Sequence, residues 1–254
     1  STPKPSSAAS DVYKRQMYMS QKQEAMDRFD SEFMADRSRS LRSESRHSSL
    51  ERVIKRSIDI AASLTFFMMF GWIYLVLWLC VLVTTGRPAI YRHARVGLDG
   101  KEFDCLKFRS MIVNSAEVLQ QYLDENTEAR AEWEKDFKLR NDPRITKFGK
   151  FIRKTSLDEL PQFWNVLRGD MSLVGPRPVV VKELKKYYGA EAAYYSSVKP
   201  GITGPWQVGG RNDLDYEERI KLDVQYAKSW SVVGDIKIMI KTVMVVLALS
   251  LIHI

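Results

Sequence analysis

Two cysteines in 254 residues leave little room for disulfide or thiolate chemistry. Cys80 lies in an apolar run and Cys105 in an expected strand, with no CxxC spacing and no histidine close by, which argues against a disulfide framework or a zinc site. Histidine is equally sparse: His47, His93 and His253 are scattered, so catalysis is not expected to rest on histidine. Charge is missing altogether from Ile60 to Val83. Elsewhere 39 Lys and Arg outnumber 31 Asp and Glu, a net charge of +8. That excess favours a polyanionic partner, whether nucleic acid, an anionic membrane surface or a phosphorylated substrate, and does not choose among them.

The two ends stand apart. Ser6 to Gln16 (SSAASDVYKRQ) and Leu249 to Ile254 (LSLIHI) read like translated sequencing-adapter DNA, so 1–16 and 249–254 are left out of fold reasoning. Residues 17–50 are polar and rich in Ser and Arg, which predicts a mostly disordered tail with at most a short helix over Ala25 to Met34. Arg37, Arg39, Arg42, Arg46, Arg52, Lys55 and Arg56, opposed by Glu44 and Glu51, then form a basic flank of juxtamembrane character.

The charge-free stretch exceeds the roughly 20 apolar residues needed to cross a bilayer core as a helix, so 51–86 reads as a basic flank plus a membrane helix. Arg87, Arg92 and Arg95 make the far flank basic too. Only the cytoplasmic side of a crossing is enriched in Lys and Arg, so cations on both flanks point to a re-entrant helix with both ends in the cytoplasm. Gly71, Ser63 and Thr65 are the positions available to bend it. Residues 87–248 follow as the cytoplasmic domain. The expected fold class is α+β, mainly helical, with a small β-hairpin and interfacial amphipathic helices.

Ala89 to Val96 and Lys101 to Arg109 flank Gly97-Leu98-Asp99-Gly100, a hairpin signal. Alternation along the second strand puts Phe103, Cys105, Lys107 and Arg109 on one face. That face is either a solvated sheet edge or part of a site. Asn114 and Glu117 have capping-box spacing, and the segment to about Leu139 reads as one long or two short helices with a solvated charged face.

Between Lys138 and Arg177 the cations far outnumber the acids, yet Asp158 and Glu159 stand adjacent among them. Ser156 and Glu159 also have capping-box spacing, so the acid pair is predicted in the first turn of a helix, where the dipole, the free N–H groups and nearby arginines keep Asp158 ionised. Such a pair is an ordinary cap, or a nucleophile with a helper that can hold Mg²⁺ through oxygen. Arg177, stiffened between Pro176 and Pro178, can grip phosphate bidentately. Pro200 to Pro205 and Gly209-Gly210-Arg211 read as loops able to present N–H groups to an anion. Asp213 or Asp215 is expected to cap a helix carrying Asp223 close to Arg219, as in a surface ion pair. From Val232 onward, Lys237 and Lys241 sit one turn apart on an apolar segment, which fits either a membrane-interface helix or a core helix.

Several motifs in order carry a resemblance: KRSID, IYRHARVGLDGKEFDCLKFRSM, DPRITKFGKFIRKTSLDELPQFWNVLRGDMSLVGPRP, KPGITGPWQVGGRNDL and LDVQYAKSWS. From about Lys55 to Val246 the chain resembles the bacterial sugar transferases, monotopic phosphoglycosyl transferases, and among them the exopolysaccharide-type galactose phosphotransferases. The resemblance implies transfer of a hexose 1-phosphate, galactose before glucose, from a UDP-sugar to undecaprenyl phosphate with release of UMP. It implies Asp158 as nucleophile, Glu159 as helper, Mg²⁺ held by Asp158 and Glu159 and bridging the diphosphate, and Arg177 on phosphate. Lys107, Arg109, Arg153 and Asp223 fall at positions the family keeps near its site. It further implies contact with membrane lipid and a place at the bacterial inner membrane with the catalytic domain on the cytoplasmic face. Gly71-Trp72 stands where the family usually bends its helix with Ser-Pro. The competing reading is a non-catalytic membrane-anchored module that binds anionic lipid or an acidic partner; nucleic acid ranks below both because no recognition motif is present.

Overall fold

Ser48 and Glu51 start the longest element through a reciprocal cap: the Glu51 N–H donates to Ser48 Oγ at 3.1 Å, and the Ser48 N–H donates to Glu51 Oε2 at 2.8 Å. The structure, a computed structural model, describes residues 32, 34–43, 48–136, 139–209 and 214–252. Helix α1 then runs unbroken over Ser49–Thr85, 37 residues, about 55 Å at 1.5 Å per residue, until Gly86 takes φ 85°. It is the helix, among the described residues, that is long and apolar enough to cross a membrane.

This helix lies along the rest of the protein rather than leaving it. Near its start, Lys55 pairs with Asp235 at 2.5 Å and Arg56 donates to the Val166 and Leu167 carbonyls. Buried Asp59 accepts from Ser172 Oγ and the Leu173 N–H. Midway, Phe66 stacks on Phe163 with ring centroids 3.9 Å apart. Near its end, Leu77 and Val81 enter a core with Ala89, Phe108 and Ile152. Its outer face carries Met68, Trp72 and Val83, all more than half exposed. Lys55 and Arg56, expected in a basic flank facing lipid headgroups, are thus held by protein groups, because α1 begins earlier than the apolar run and its first turns dock.

Strands β1, Ile90–Val96, and β2, Glu102–Phe108, form the expected antiparallel hairpin, in register from Ile90↔Phe108 to Val96↔Glu102. Residues 34–43 form a helix that seats Ala35 and Ser38 in buried positions, and Arg42 reaches Asp99 in the hairpin turn at 3.2 Å. That part of the presumed tail is therefore structured; Ala25 to Met34 falls almost wholly outside the described residues, as do Ser6 to Gln16.

Helices α2, Ser115–Glu125, and α3, Thr127–Asp136, divide at Asn126, whose Oδ1 accepts from the Ala129 N–H. The Asn114 cap does not form, since its side chain bonds no helix N–H. After α4, Lys147–Lys154, come α5, Gln162–Arg168, and β3, Ser172–Val174. The short α6, Val181–Glu183, leads through a π turn to α7, Ala192–Ser196. Strand β4, Gly201–Thr203, pairs parallel with β3, and α8, Pro205–Gly209, α9, Tyr216–Ser229, and α10, Val232–Ile252, complete the order. The mainly helical α+β class is as expected; the small parallel pair is an addition.

That pair alters one expectation. Gly175 and Gly201 approach so closely that a Cβ on either would strike the other's backbone, and their N–H groups donate to Thr203 and Pro176 carbonyls. The Pro200 to Pro205 segment therefore spends the Gly201 N–H on its own sheet instead of offering it to an anion; Gly210 and Arg211 lie outside the described residues. Helix α10 packs one face, with Ile238 and Met239 on the core around Val166 and Met171, and leaves Ile240, Val243 and Met244 exposed.

Candidate active site

The hairpin supplies one wall of the site. Because side chains alternate, Tyr91, His93 and Arg95 of β1 share a face with their cross-strand partners Lys107, Cys105 and Phe103. Asn165 of α5, fully buried, fixes the hairpin by accepting from the Leu106 N–H at 2.9 Å and donating to the Asp104 carbonyl at 2.7 Å. The opposite wall comes from α4, capped by Thr146, and from the turn after it. Gly149 lets α4 press on the Ser110 backbone, where a Cβ would collide. One turn later Arg153 Nε donates to Ser110 Oγ at 2.7 Å.

Ser156 takes the left-handed conformation, φ 57°, and caps nothing. The acid pair sits in a single 3₁₀ turn, Leu157–Glu159, and α5 begins only at Gln162. This corrects the predicted capping box: instead of turning back to the Ser156 N–H, the Glu159 side chain accepts from Lys107 Nζ at 2.7 Å. A left-handed non-glycine residue two positions before an acid pair is backbone strain of the sort held at functional sites.

A cavity of about 740 Å³ opens here, and Lys107, Arg109, Arg153, Asp158, Glu159 and Arg177 all line it, as the sequence reading grouped them. Asp223 does not. It lines a neighbouring cavity of about 590 Å³ that shares Arg95, Glu159 and Arg177 with the first. Nor is Asp223 a surface ion pair with Arg219: it is 1% exposed, accepts from Tyr188 Oη at 3.1 Å, and Arg219 lies over the Trp206 ring instead.

Sequence reasoning missed His93, Arg95, Ser110 and Arg144 in the main cavity. The first two were accessible through the same alternation that paired Lys107 with Arg109. Arg144 is charge-balanced by a two-point contact with Asp142, Nε to Oδ1 at 2.8 Å and Nη2 to Oδ2 at 2.6 Å. Arg95 donates to the Pro178 carbonyl and faces Glu183 at 3.7 Å.

The electrostatics separate the two acids. Burial pushes the Asp158 carboxyl above its ordinary range; Lys107 and Arg153 oppose that and Glu159 reinforces it. The direction is opposite to the stabilisation a helix N-terminus would give the charged form, because a 3₁₀ turn offers no long helix dipole and the pocket desolvates the group. Burial also acts on Glu159, but Lys107 and Arg177 outweigh it and hold that carboxyl below its ordinary range. Asp223 is pushed up to about 7, by burial first, against Tyr188 and Arg177.

Two adjacent carboxylates give hard oxygen donors, and among the described residues no group of three His, Cys, Asp or Glu side chains is present. Such a set fits Mg²⁺, which is commonly held by one or two carboxylates together with substrate phosphates and water. Arginines and lysine around a desolvated carboxylate suit a substrate carrying several negative charges.

A desolvated acid pair walled by cations thus lines a cavity on a domain that carries a long apolar helix along its side. The chain belongs to the bacterial sugar transferase family, which matches residues 50–249. It is 55% identical over 202 residues to a UDP-galactose-lipid carrier transferase of Erwinia amylovora, covering 80% of this chain and 42% of the relative. To an undecaprenyl-phosphate galactose phosphotransferase of Salmonella typhimurium it is 56% identical over 196 residues, 77% of this chain and 41% of the relative. To the exopolysaccharide production protein ExoY of Rhizobium meliloti it is 44% identical over 189 residues, 74% of this chain and 83% of the relative. The chain thus spans less than half the length of the first two relatives and most of the third.

Proposed function

We propose that this chain transfers a hexose 1-phosphate, galactose before glucose, from a UDP-sugar to undecaprenyl phosphate, the priming step of exopolysaccharide synthesis. The observation that carries this reading is the placement of Asp158 and Glu159 in one cavity with Lys107, Arg109, Arg153 and Arg177. Two relatives named for galactose support the choice of sugar.

In the first step an Asp158 oxygen forms a bond to the sugar-bearing phosphorus, and the phosphoanhydride bond to UMP breaks with its electron pair leaving on UMP. In the second, a phosphate oxygen of the carrier attacks the same phosphorus and the bond to Asp158 breaks, giving undecaprenyl-diphosphate-sugar. The anomeric C–O bond is untouched throughout. Burial of Asp158 strips water from the nucleophile, and Lys107, Arg153 and Arg177 neutralise charge on the transferring group. Glu159, whose carboxyl Lys107 helps hold below its ordinary range, fixes that ammonium at 2.7 Å, from where its charge also acts on Asp158. The Asp158 and Glu159 carboxylates would hold Mg²⁺, which would supply further charge neutralisation when bound.

The reading places the domain on the cytoplasmic face of the inner membrane. Contacts from Lys55 to Val81 along α1 support both ends of that helix lying on one side of the bilayer, because a straight crossing would draw the bonded polar domain into lipid. The test is UMP release from UDP-galactose and UDP-glucose with undecaprenyl phosphate and Mg²⁺. Release with neither sugar overturns the proposal, and an undiminished phosphosugar adduct in Asp158→Asn removes that residue from the nucleophile role.

A further inference from the structure

A third cavity, of about 300 Å³, opens among the first turns of α1, the Ser197 to Lys199 segment and the end of α9, and shares no lining residue with the cavities around the acid pair. Its floor is apolar, with Tyr226 and Trp230 buried. Its charge is basic and incompletely balanced. Lys55 is matched by Asp235 at 2.5 Å, and Arg42 by Asp99 at 3.2 Å. Among the described lining residues that leaves Arg52, Arg56 and Lys199 against Asp59, with Asp170 also acting on Lys199 from outside the lining.

Arg56 spends its guanidinium on the Val166 and Leu167 carbonyls, which orient it without cancelling its charge. Asp59 is itself committed to Ser172 Oγ and the Leu173 N–H. Arg56 and Lys199 face the same spot: a Cβ at Gly169 would lie 3.5 Å from Arg56 Nη2 and 3.5 Å from Lys199 Nζ, so the two charges are within about 7 Å of each other. Burial, and after it the Arg56 charge, lowers the Lys199 pKa, as befits an ammonium facing a like charge. Two cations lining one cavity over an apolar floor form a receptor for an anion.

We propose that this cavity binds a phosphate-bearing anion, and that its source is the headgroup of an anionic phospholipid. Arg52 and Arg56 precede Ile60, where the charge-free stretch begins, by about two turns and one turn, or roughly 12 and 6 Å along the axis. The cavity thus adjoins the boundary between charged and apolar surface along α1, where a bound headgroup phosphate would sit next to apolar surface that can take its acyl chains. The aromatic floor accepts the glycerol side of the headgroup, and the guanidinium and ammonium accept the phosphodiester. The site is independent of the catalytic reading and stands or falls without it.

Calorimetric titration of the detergent-solubilised full chain with dihexanoyl-phosphatidylglycerol, dihexanoyl-phosphatidylcholine and inorganic phosphate tests it. Phosphatidylglycerol is expected to bind at least about tenfold more tightly than phosphatidylcholine, and Arg52→Gln with Lys199→Gln to weaken it by about tenfold or more. Arg177→Gln, in the acid-pair cavity, should leave that binding unchanged. Ligand-free Lys199→Gln should melt no lower than the wild type, since the change relieves repulsion from Arg56. Equal affinity for the two lipids, or phosphatidylglycerol binding that survives the double change, overturns the proposal. Inorganic phosphate binding as tightly as phosphatidylglycerol, and lost in the same variant, overturns the lipid source and leaves a site for a free phosphate compound.

Discussion

Lys107 Nζ lies 2.7 Å from Glu159 Oε1, and its charge also opposes the upward push of burial on Asp158, so one ammonium favours the ionised form of both acids. On the proposed mechanism Asp158 attacks phosphorus in its ionised form. Formation of the phosphosugar adduct is therefore expected to fall as pH drops through the raised Asp158 pKa. Lys107→Met should move this acidic limb to higher pH and slow adduct formation at neutral pH by at least about tenfold. Rapid-quench measurement of the adduct across pH checks both; an unmoved limb takes Lys107 out of this role.

Arg177 borders both cavities next to the acids, with its guanidinium 5.7 Å from the Trp206 ring centroid. Lysine keeps the charge but loses the planar fork and the stacking. Arg177→Lys should lower kcat/KM for the UDP-sugar by about tenfold or more, a loss of roughly 1.4 kcal/mol or greater. Wild-type kinetics in the lysine variant would leave charge alone as the requirement.

Asp223 gives a stability prediction with a definite sign. Its carboxyl is raised to about 7 in the fold from 3.8, so between those values the folded chain holds a proton that the unfolded chain has released. Stability from this group therefore falls as pH rises from about 4 to 7 and stays low above it, by an amount on the order of 4 kcal/mol. Asp223→Asn should raise the melting temperature at pH 8 relative to the wild type, with the advantage vanishing near pH 4. Thermal melts across that range decide it.

Gly149→Ala tests the wall behind Arg153. The added Cβ falls on the Ser110 carbonyl, backbone that cannot swing aside as a side chain would. We expect a loss of about 2 to 4 kcal/mol in unfolding free energy, together with weaker catalysis as Ser110 and Arg153 separate. Denaturant titration and UMP release measure the two effects, and a neutral substitution would show that α4 can shift away freely.

Much of this site was legible because its pieces are local. Alternation along β2 put Lys107 and Arg109 on one face, and the GPRP segment singled out Arg177. The same alternation runs through Tyr91, His93 and Arg95, but Arg92 and Arg95 also fit the basic flank of the apolar stretch, and that pattern hides the strand face. Pattern failed where a tertiary partner outbid a local one. Glu159 has the spacing to cap Ser156, yet the Lys107 ammonium across the cavity wins it. Asp223 and Arg219 have the spacing of a helical pair, yet Tyr188 takes the first and Trp206 the second. Lys55 and Arg56 looked like solvated charges until Asp235 and the carbonyls ending α5 claimed them. Neither partner lies within 100 residues in sequence, and no periodicity announces it.

The docking of α1 has a practical corollary for anyone preparing this protein. The helix is a structural member of the core, not a tether that can be cut away to obtain a soluble enzyme. Deleting it would unplug Asp235 and the end of α5, strip Phe163 of its stacking partner and open the core beside Phe108. A fragment starting at the hairpin should be insoluble or collapsed even though every acid-pair residue is retained. Preparations that keep the helix, in detergent or nanodiscs, are the ones in which the acid pair should be found intact.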